Sequence, residues 1–489
     1  MINGSFSSST RALDSKPRRS RISPPVHQAS LGIWSLVIHG CLALGHWTFL
    51  TALCFSVLSH SFAHADPATF SPAERVQLNA KLRSPQLATR LEVVERLAQS
   101  PGGDAAKLLI DFGLRDSAEP VQQAAYSILS RFGSDSEIAE LFRQRLLREA
   151  QSAQPSPASP QLLRLLLSDA RESEQTATRE FIDQKLVTAR HALGFAMALA
   201  EQIGTRPERN DVRPLLNLLH TKLGEPFALR RSAVIALSRI DAVEAVDAMI
   251  ALLPDLIGEV RLDALEFLTL VTQKNFTDSA HWSKWWAENK AGFQFPWPLV
   301  RPKGRSFGSD TLAGEASYYG LPIYAKRVVF ILDGSASMSG GRLAKAQDEL
   351  IAAVARLASD VRFGIVVFNS DVLAWRTQLL PADLANKEAA FQFVRRIVAQ
   401  NNTASYGALQ AAMSLDAEAI YFLTDGVPTT GRLVEPDEIV AAVSRQNRHH
   451  RQSIYTIGVG VEAVGSKFDL FLRSLAEENT GAYRRIESQ

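Results

Sequence analysis

Five consecutive apolar residues, Val328-Val329-Phe330-Ile331-Leu332, run without a break into Asp333. A run this short, rich in β-branched and aromatic side chains, favours a strand over a helix. With no polar residue to turn towards water, such a strand needs cover on both faces, as in a parallel sheet held between two helix layers. The rest of the C-terminal part obeys that condition. Further short β-rich runs lie at 362–368, 372–375, 419–423, 453–459 and 483–486, and amphipathic stretches of helical spacing alternate with them at 342–358, 387–398, 404–413, 436–446 and 467–478. This succession predicts a doubly wound, Rossmann-like α/β domain over residues 324–489.

Upstream the period changes. Residues 89–98 and 121–129 share one pattern at an offset of 32, and residues 229–240 and 260–271 share it at an offset of 31. Each is an apolar residue, a polar pair, then Ala or Val along one helical face, and a second amphipathic stretch follows at 105–114, 136–147 and 243–253. Helix pairs that recur about every 30 residues cannot bury their apolar faces singly, so they stack. Residues 66–294 are therefore expected to form an all-α solenoid that resembles HEAT repeats, with 161–204 its poorest match. QSAQPSPASP at 151–160 reads as a loop between repeats. Trp282, Trp285 and Trp286 share one helix face, suited to capping the solenoid or packing on the next domain. Three prolines within 295–302 and a Gly-rich stretch after them make 295–323 a linker.

The first 65 residues read as an export signal or an N-terminal membrane anchor. A basic arm (Arg11, Lys16, Arg18, Arg19 and Arg21 against Asp14) precedes an apolar run at 31–58, and Ala63-His64-Ala65 follows it. That is the order of a signal peptide, although the apolar run is long enough to span a bilayer if it is not cut away. Membrane contact is expected only through 31–58 in that case. Either way the remainder is expected to be exported, to the periplasm or cell envelope or as a secreted protein. Both cysteines, Cys41 and Cys54, lie in this segment, which leaves no thiolate ligand or disulfide beyond it. The arm also carries +4 of the formal net charge of +2, so residues 66–489 sum to −2 and offer no global footprint for nucleic acid.

In doubly wound folds ligands gather outside the C-terminal ends of the strands. Here the first strand runs out into Asp333-Gly334-Ser335-Ala336-Ser337, a later loop carries Asn401-Asn402-Thr403, and the run at 419–423 leads to Thr424-Asp425-Gly426. Two carboxylates and three hydroxyls from three loops suit a hard cation such as Mg²⁺, which takes oxygen ligands and keeps some waters. The absence of nitrogen and sulfur donors disfavours zinc or copper.

These residues are where the chain resembles the von Willebrand factor A family, together with KRVVFILD before the first loop and FLRSLAEENTGAYRRI near the end. The resemblance implies a metal-ion-dependent adhesion site, with Ser335, Ser337 and Thr403 as direct ligands and Asp333 and Asp425 acting mostly through water. The metal would be Mg²⁺, with Mn²⁺ or Ca²⁺ as alternatives. One coordination position would stay open for an Asp or Glu carboxylate from a protein partner. Ala336 stands where many relatives have Gly, and Asn401-Asn402 replaces a common Gly-Gly, but neither removes a ligand. The expected function is metal-dependent protein binding, with the concave face of the solenoid as a second docking surface. Two alternatives use the same residues. One is a metal-dependent hydrolase or phosphoryl-transfer enzyme, which lacks a nearby general base; the other is a structural envelope protein with an idle site. Asn447-Arg448-His449-His450-Arg451 reads as a solvated surface run, with an anion patch or second metal site as the alternative.

Overall fold

The computed structural model describes residues 70–487 apart from 153–157, 169–170, 187–192, 206, 220–225, 306, 308–315 and 462. The export segment expected at 1–65 lies outside the described residues. Among the described residues no helix is long and apolar enough to cross a membrane.

The N-terminal half is all helical, from Pro72–Leu82 to Ser279–Asn289. Its first helix opens on a capping box, in which Ser71 accepts from the Glu74 amide and Glu74 accepts from the Ser71 amide. Successive helices share one continuous core, with Val94, Leu97, Leu109, Leu129, Leu146, Leu163, Leu199, Leu237 and Leu268 all buried. Arginine–carboxylate bridges repeat along this half. Arg143 with Glu174, Arg179 with Asp211 and Arg231 with Asp263 each join residues 31 or 32 positions apart. These separations match the offsets of 31 and 32 in the apolar pattern, while other bridges such as Arg90–Asp116 and Arg115–Glu149 fall at different separations. Trp282 and Trp286 are buried at the end of the core, where their ring nitrogens donate to the Phe276 carbonyl at 2.8 Å and to Asp247 at 2.6 Å. The tryptophan face therefore caps the solenoid.

The C-terminal half is built on one mixed sheet. A two-stranded hairpin, β1 (Ser317–Tyr318) and β2 (Leu321–Pro322), precedes it. The sheet holds β3 (Arg327–Asp333), β4 (Arg362–Phe368), β5 (Val372–Ala374), β6 (Leu380–Pro381), β7 (Ala419–Thr424), β8 (Ser453–Val459) and β9 (Tyr483–Ile486). The order is β5-β4-β3-β7-β8-β9, with β6 also on β4; β5 and β6 pair antiparallel and the rest are parallel. Alternate side chains of the central strands serve opposite cores. Val328, Phe330 and Leu332 meet Ala346, Leu350 and Val354 of helix Arg342–Arg356. Val329 and Ile331 join Leu409, Ile439 and Leu472 on the other face. From β3 the chain goes first to β4 on one side and then crosses to β7 on the other. This switch leaves a crevice at the C-terminal ends of β3 and β7.

The segment expected as a linker is partly packed. The Arg305 side chain is 3% exposed and pairs with Glu259 and Asp263 of helix Gly258–Thr272, while donating to Tyr455 at 2.7 Å and Ser453 at 3.0 Å in β8. The basic run at 447–451 also departs from a plain surface. Arg231 donates to the Arg451 carbonyl at 2.6 Å, and Arg451 pairs with Glu201 at 3.0 Å. The two halves thus meet at the N-terminal ends of the strands, the opposite end of the sheet from the crevice.

Candidate metal centre

The first expected residue, Asp333, is the last of β3 and its side chain has no exposure. Its Oδ1 accepts from the Ser335 amide at 2.8 Å, and its Oδ2 accepts from the Thr424 hydroxyl at the end of β7. Burial pushes its carboxyl up to about 6, against the pull of the Thr424 and Ser335 hydrogen bonds, and nearby Asp425 pushes the same way as burial. Ser335 is buried and Ser337 is exposed, so the site is closed below and open on the Ser337 side.

A chain of hydroxyls crosses the crevice. Ser337 Oγ donates to Asp425 Oδ1 at 2.6 Å, and the Ser335 and Ser337 hydroxyls lie 2.9 Å apart. Each hydroxyl has one hydrogen, so Ser337 accepts from Ser335. Lone pairs on both serines remain free for a cation. The remaining oxygen of Asp425, Oδ2, accepts from Arg342 at 3.0 Å.

The third loop is tied to the first through its backbone. Ala336 donates to the Asn401 carbonyl at 3.0 Å, and Gln400 donates to the Gly334 carbonyl at 2.9 Å. Thr403, two residues on, is buried; its amide donates to the Thr429 hydroxyl at 3.0 Å, and its carbonyl accepts from the Thr429 amide at 3.0 Å. Among the described residues the Thr403 hydroxyl has no hydrogen-bond partner. Asn401 has φ +63°, a left-handed conformation that Gly adopts freely and Asn better than most. This explains how Asn401 stands where the resemblance implied Gly. Ala336 lies in a short 3₁₀ turn, Ala336–Met338, where a Cβ is no strain.

Asp333, Ser335, Ser337 and Asp425 are thus joined through their side chains and the Ser335 amide, and Thr403 is tied in through its loop. The donor set fits a hard divalent cation: oxygens only, two of them carboxylates, with an open side. No group of three or more His, Cys, Asp or Glu placed to hold a metal ion occurs among the described residues, so a metal held here would draw on hydroxyls and water beside the two carboxylates. Three contributors were not singled out from the sequence. Thr424 braces Asp333, Thr429 holds Thr403, and Arg342 pairs with Asp425. Thr424 stood in the Thr-Asp-Gly turn, whereas nothing local marked Thr429 or Arg342.

An α/β sheet with such a loop cluster at its switch point defines a domain of the doubly wound class. Residues 328–488 match the von Willebrand factor type A domain, and this part of the chain is a domain of that family. The chain is 32% identical over 180 residues to inter-alpha-trypsin inhibitor heavy chain H4 of Homo sapiens, covering 34% of this chain and 19% of that one. It is 30% identical over 180 residues to heavy chain H3 of Mus musculus, covering 34% and 20%. The chain therefore spans about a fifth of the length of these relatives. Among solved structures, a von Willebrand factor type A protein from Catenulispora acidiphila is 22% identical with a TM-score of 0.30, covering 34% of this chain and 40% of that one. An aerotolerance-related membrane protein from Bacteroides fragilis is 19% identical with a TM-score of 0.26, covering 33% and 92%.

Proposed function

We propose that the α/β domain is a metal-dependent protein-binding module. Ser335, Ser337 and Thr403 would hold Mg²⁺ directly, and Asp333 and Asp425 would hold it through water, with Mn²⁺ or Ca²⁺ able to substitute. A partner's Asp or Glu would complete the coordination, because a cation bound largely by neutral hydroxyls attracts a further anionic oxygen. What supports this reading best is the hydrogen-bonded line from Ser335 through Ser337 to Asp425, beside the buried Asp333 and open on the Ser337 side. The groups bonded to the two carboxylates are hydroxyls, an amide and Arg342, none of which is a general base; this favours binding over hydrolysis. We further propose that residues 1–65 direct export and that the solenoid offers a second protein surface.

The test is calorimetric titration of the full chain with MgCl₂ and with MnCl₂, followed by capture of bound proteins in metal or EDTA. One divalent ion per chain should bind. Ser335→Ala should lose both metal and metal-dependent partners while keeping its circular dichroism spectrum. A wild-type chain that takes up neither ion would overturn the proposal.

A further inference from the structure

Arg342 is the first residue of helix Arg342–Arg356 and follows Gly340 and Gly341, whose φ values are +71° and +100°. A cation there faces the positive end of the helix dipole, and the first turn holds no acidic residue to offset it. Helix stability alone would select Asp or Glu at this position. The explanation lies across the crevice. The Asp425 side chain has no exposure, and a buried carboxylate is costly unless a cation or several donors answer it. Arg342 Nη1 lies 3.0 Å from Asp425 Oδ2 and also donates to the Ser337 carbonyl at 3.2 Å, while 44% of its side chain stays exposed. It is half withdrawn onto the site and half in water, preceded by two glycines beside which a Cβ would meet nothing within 4 Å.

We infer that Arg342 is a resident counter-cation that competes with divalent metal for Asp425 and so sets the metal affinity of the site. This rests on the metal-binding reading above. A guanidinium and a divalent ion repel, and both draw on the same carboxylate, so full occupancy by one weakens the other. The half-exposed side chain and its open glycine lead-in allow it to leave Asp425 without disturbing the core. In the absence of metal it holds the carboxylate in place, which keeps the loop ordered for the next ion.

Calorimetry of the full chain with Mn²⁺ should give about fivefold tighter binding for Arg342→Gln than for wild type, with Arg342→Lys in between, as expected for a partly screened charge pair. In EDTA, Arg342→Gln and Asp425→Asn should each lower the unfolding temperature, and the double variant should fall no further than the worse single one. Equal or weaker Mn²⁺ binding by Arg342→Gln, or strictly additive losses in EDTA, overturns the inference while leaving the metal site standing. A wild-type chain that binds no divalent ion removes both.

Discussion

Asp333 is a buried carboxylate at the end of a strand whose preceding five residues are all apolar. Its charge is maintained against burial, and that should be measurable without any metal. Because its pKa is raised to about 6 from 3.8, the folded chain holds more protons than the unfolded chain between those values. Stability contributed by the protonated form is fully present below pH 3.8 and is lost as pH rises through about 6. At pH 7 the whole cost is present, about 3 kcal/mol with the hydrogen bonds to Thr424 and Ser335 already included. Asp333→Asn in EDTA should therefore raise unfolding stability at pH 7 by about 1–2 kcal/mol, less than the full cost because the amide satisfies those donors imperfectly. The gain should vanish near pH 4. Denaturant titrations of both chains at the two pH values test this; an Asn variant less stable at pH 7 would mean that the charged Asp333 is well solvated by its neighbours. The variant should also fail to bind metal, so the same substitution separates stability from function.

At the scale of elements, close backbone approach decides as much as apolar pattern. A Cβ added at Gly481, just before β9, would lie 1.9 Å from the Ile454 carbonyl oxygen of β8, and the Gly481 carbonyl accepts from the Arg305 amide at 2.7 Å. Neither neighbour is a flexible side chain, so Gly481→Ala must push β9 off β8. A loss of about 3 kcal/mol is expected, at the upper end of overpacking effects. A denaturation midpoint equal to wild type would show that the edge yields freely. Elements of this half were largely legible beforehand. The runs at 453–459, 467–478 and 483–486 are the observed β8, helix Lys467–Glu478 and β9, because apolar periodicity is a local property. Helix Leu384–Arg395 begins three residues before the expected 387, where Asp383 caps it by accepting from the Asn386 amide. The hairpin β1–β2 went unread, since two-residue strands carry no period. Within the candidate site, the loops bearing Asp333, Thr403 and Asp425 could be found from strand ends and motif. Arg342 could not, because its role depends on a carboxylate 83 residues away.

For the whole molecule, the placement of the two ends of the sheet matters most. The candidate metal loops lie at the C-terminal ends of the strands, and the solenoid is fastened at the other, with the seven residues of β3, about 20 Å, between them. A partner could therefore reach the crevice without dislodging the helices. The fastening itself is ionic and buried. Arg305 meets Glu259 and Asp263 and reaches Glu266 at 3.0 Å; Ser453 donates to Glu259 at 2.6 Å, and Tyr455 reaches the same carboxylate at 3.1 Å. Ion pairs this deep contribute little net stability when intact, but removing one partner strands the other's charge and costs about 3–5 kcal/mol. Asp263 keeps its bridge to Arg231, but Glu259 loses its nearest cation, and because it lies between the halves the loss should fall on their coupling. Wild type should unfold in one calorimetric transition. Arg305→Met should split it into a lower and a higher step, and amide exchange should rise first at the start of β8 around Ser453–Tyr455. Adding Glu259→Gln to Arg305→Met should recover part of the loss, since one buried charge is then gone. If Arg305→Met melts in a single step at the wild-type temperature, the Arg305 cluster is incidental to how the halves hold together.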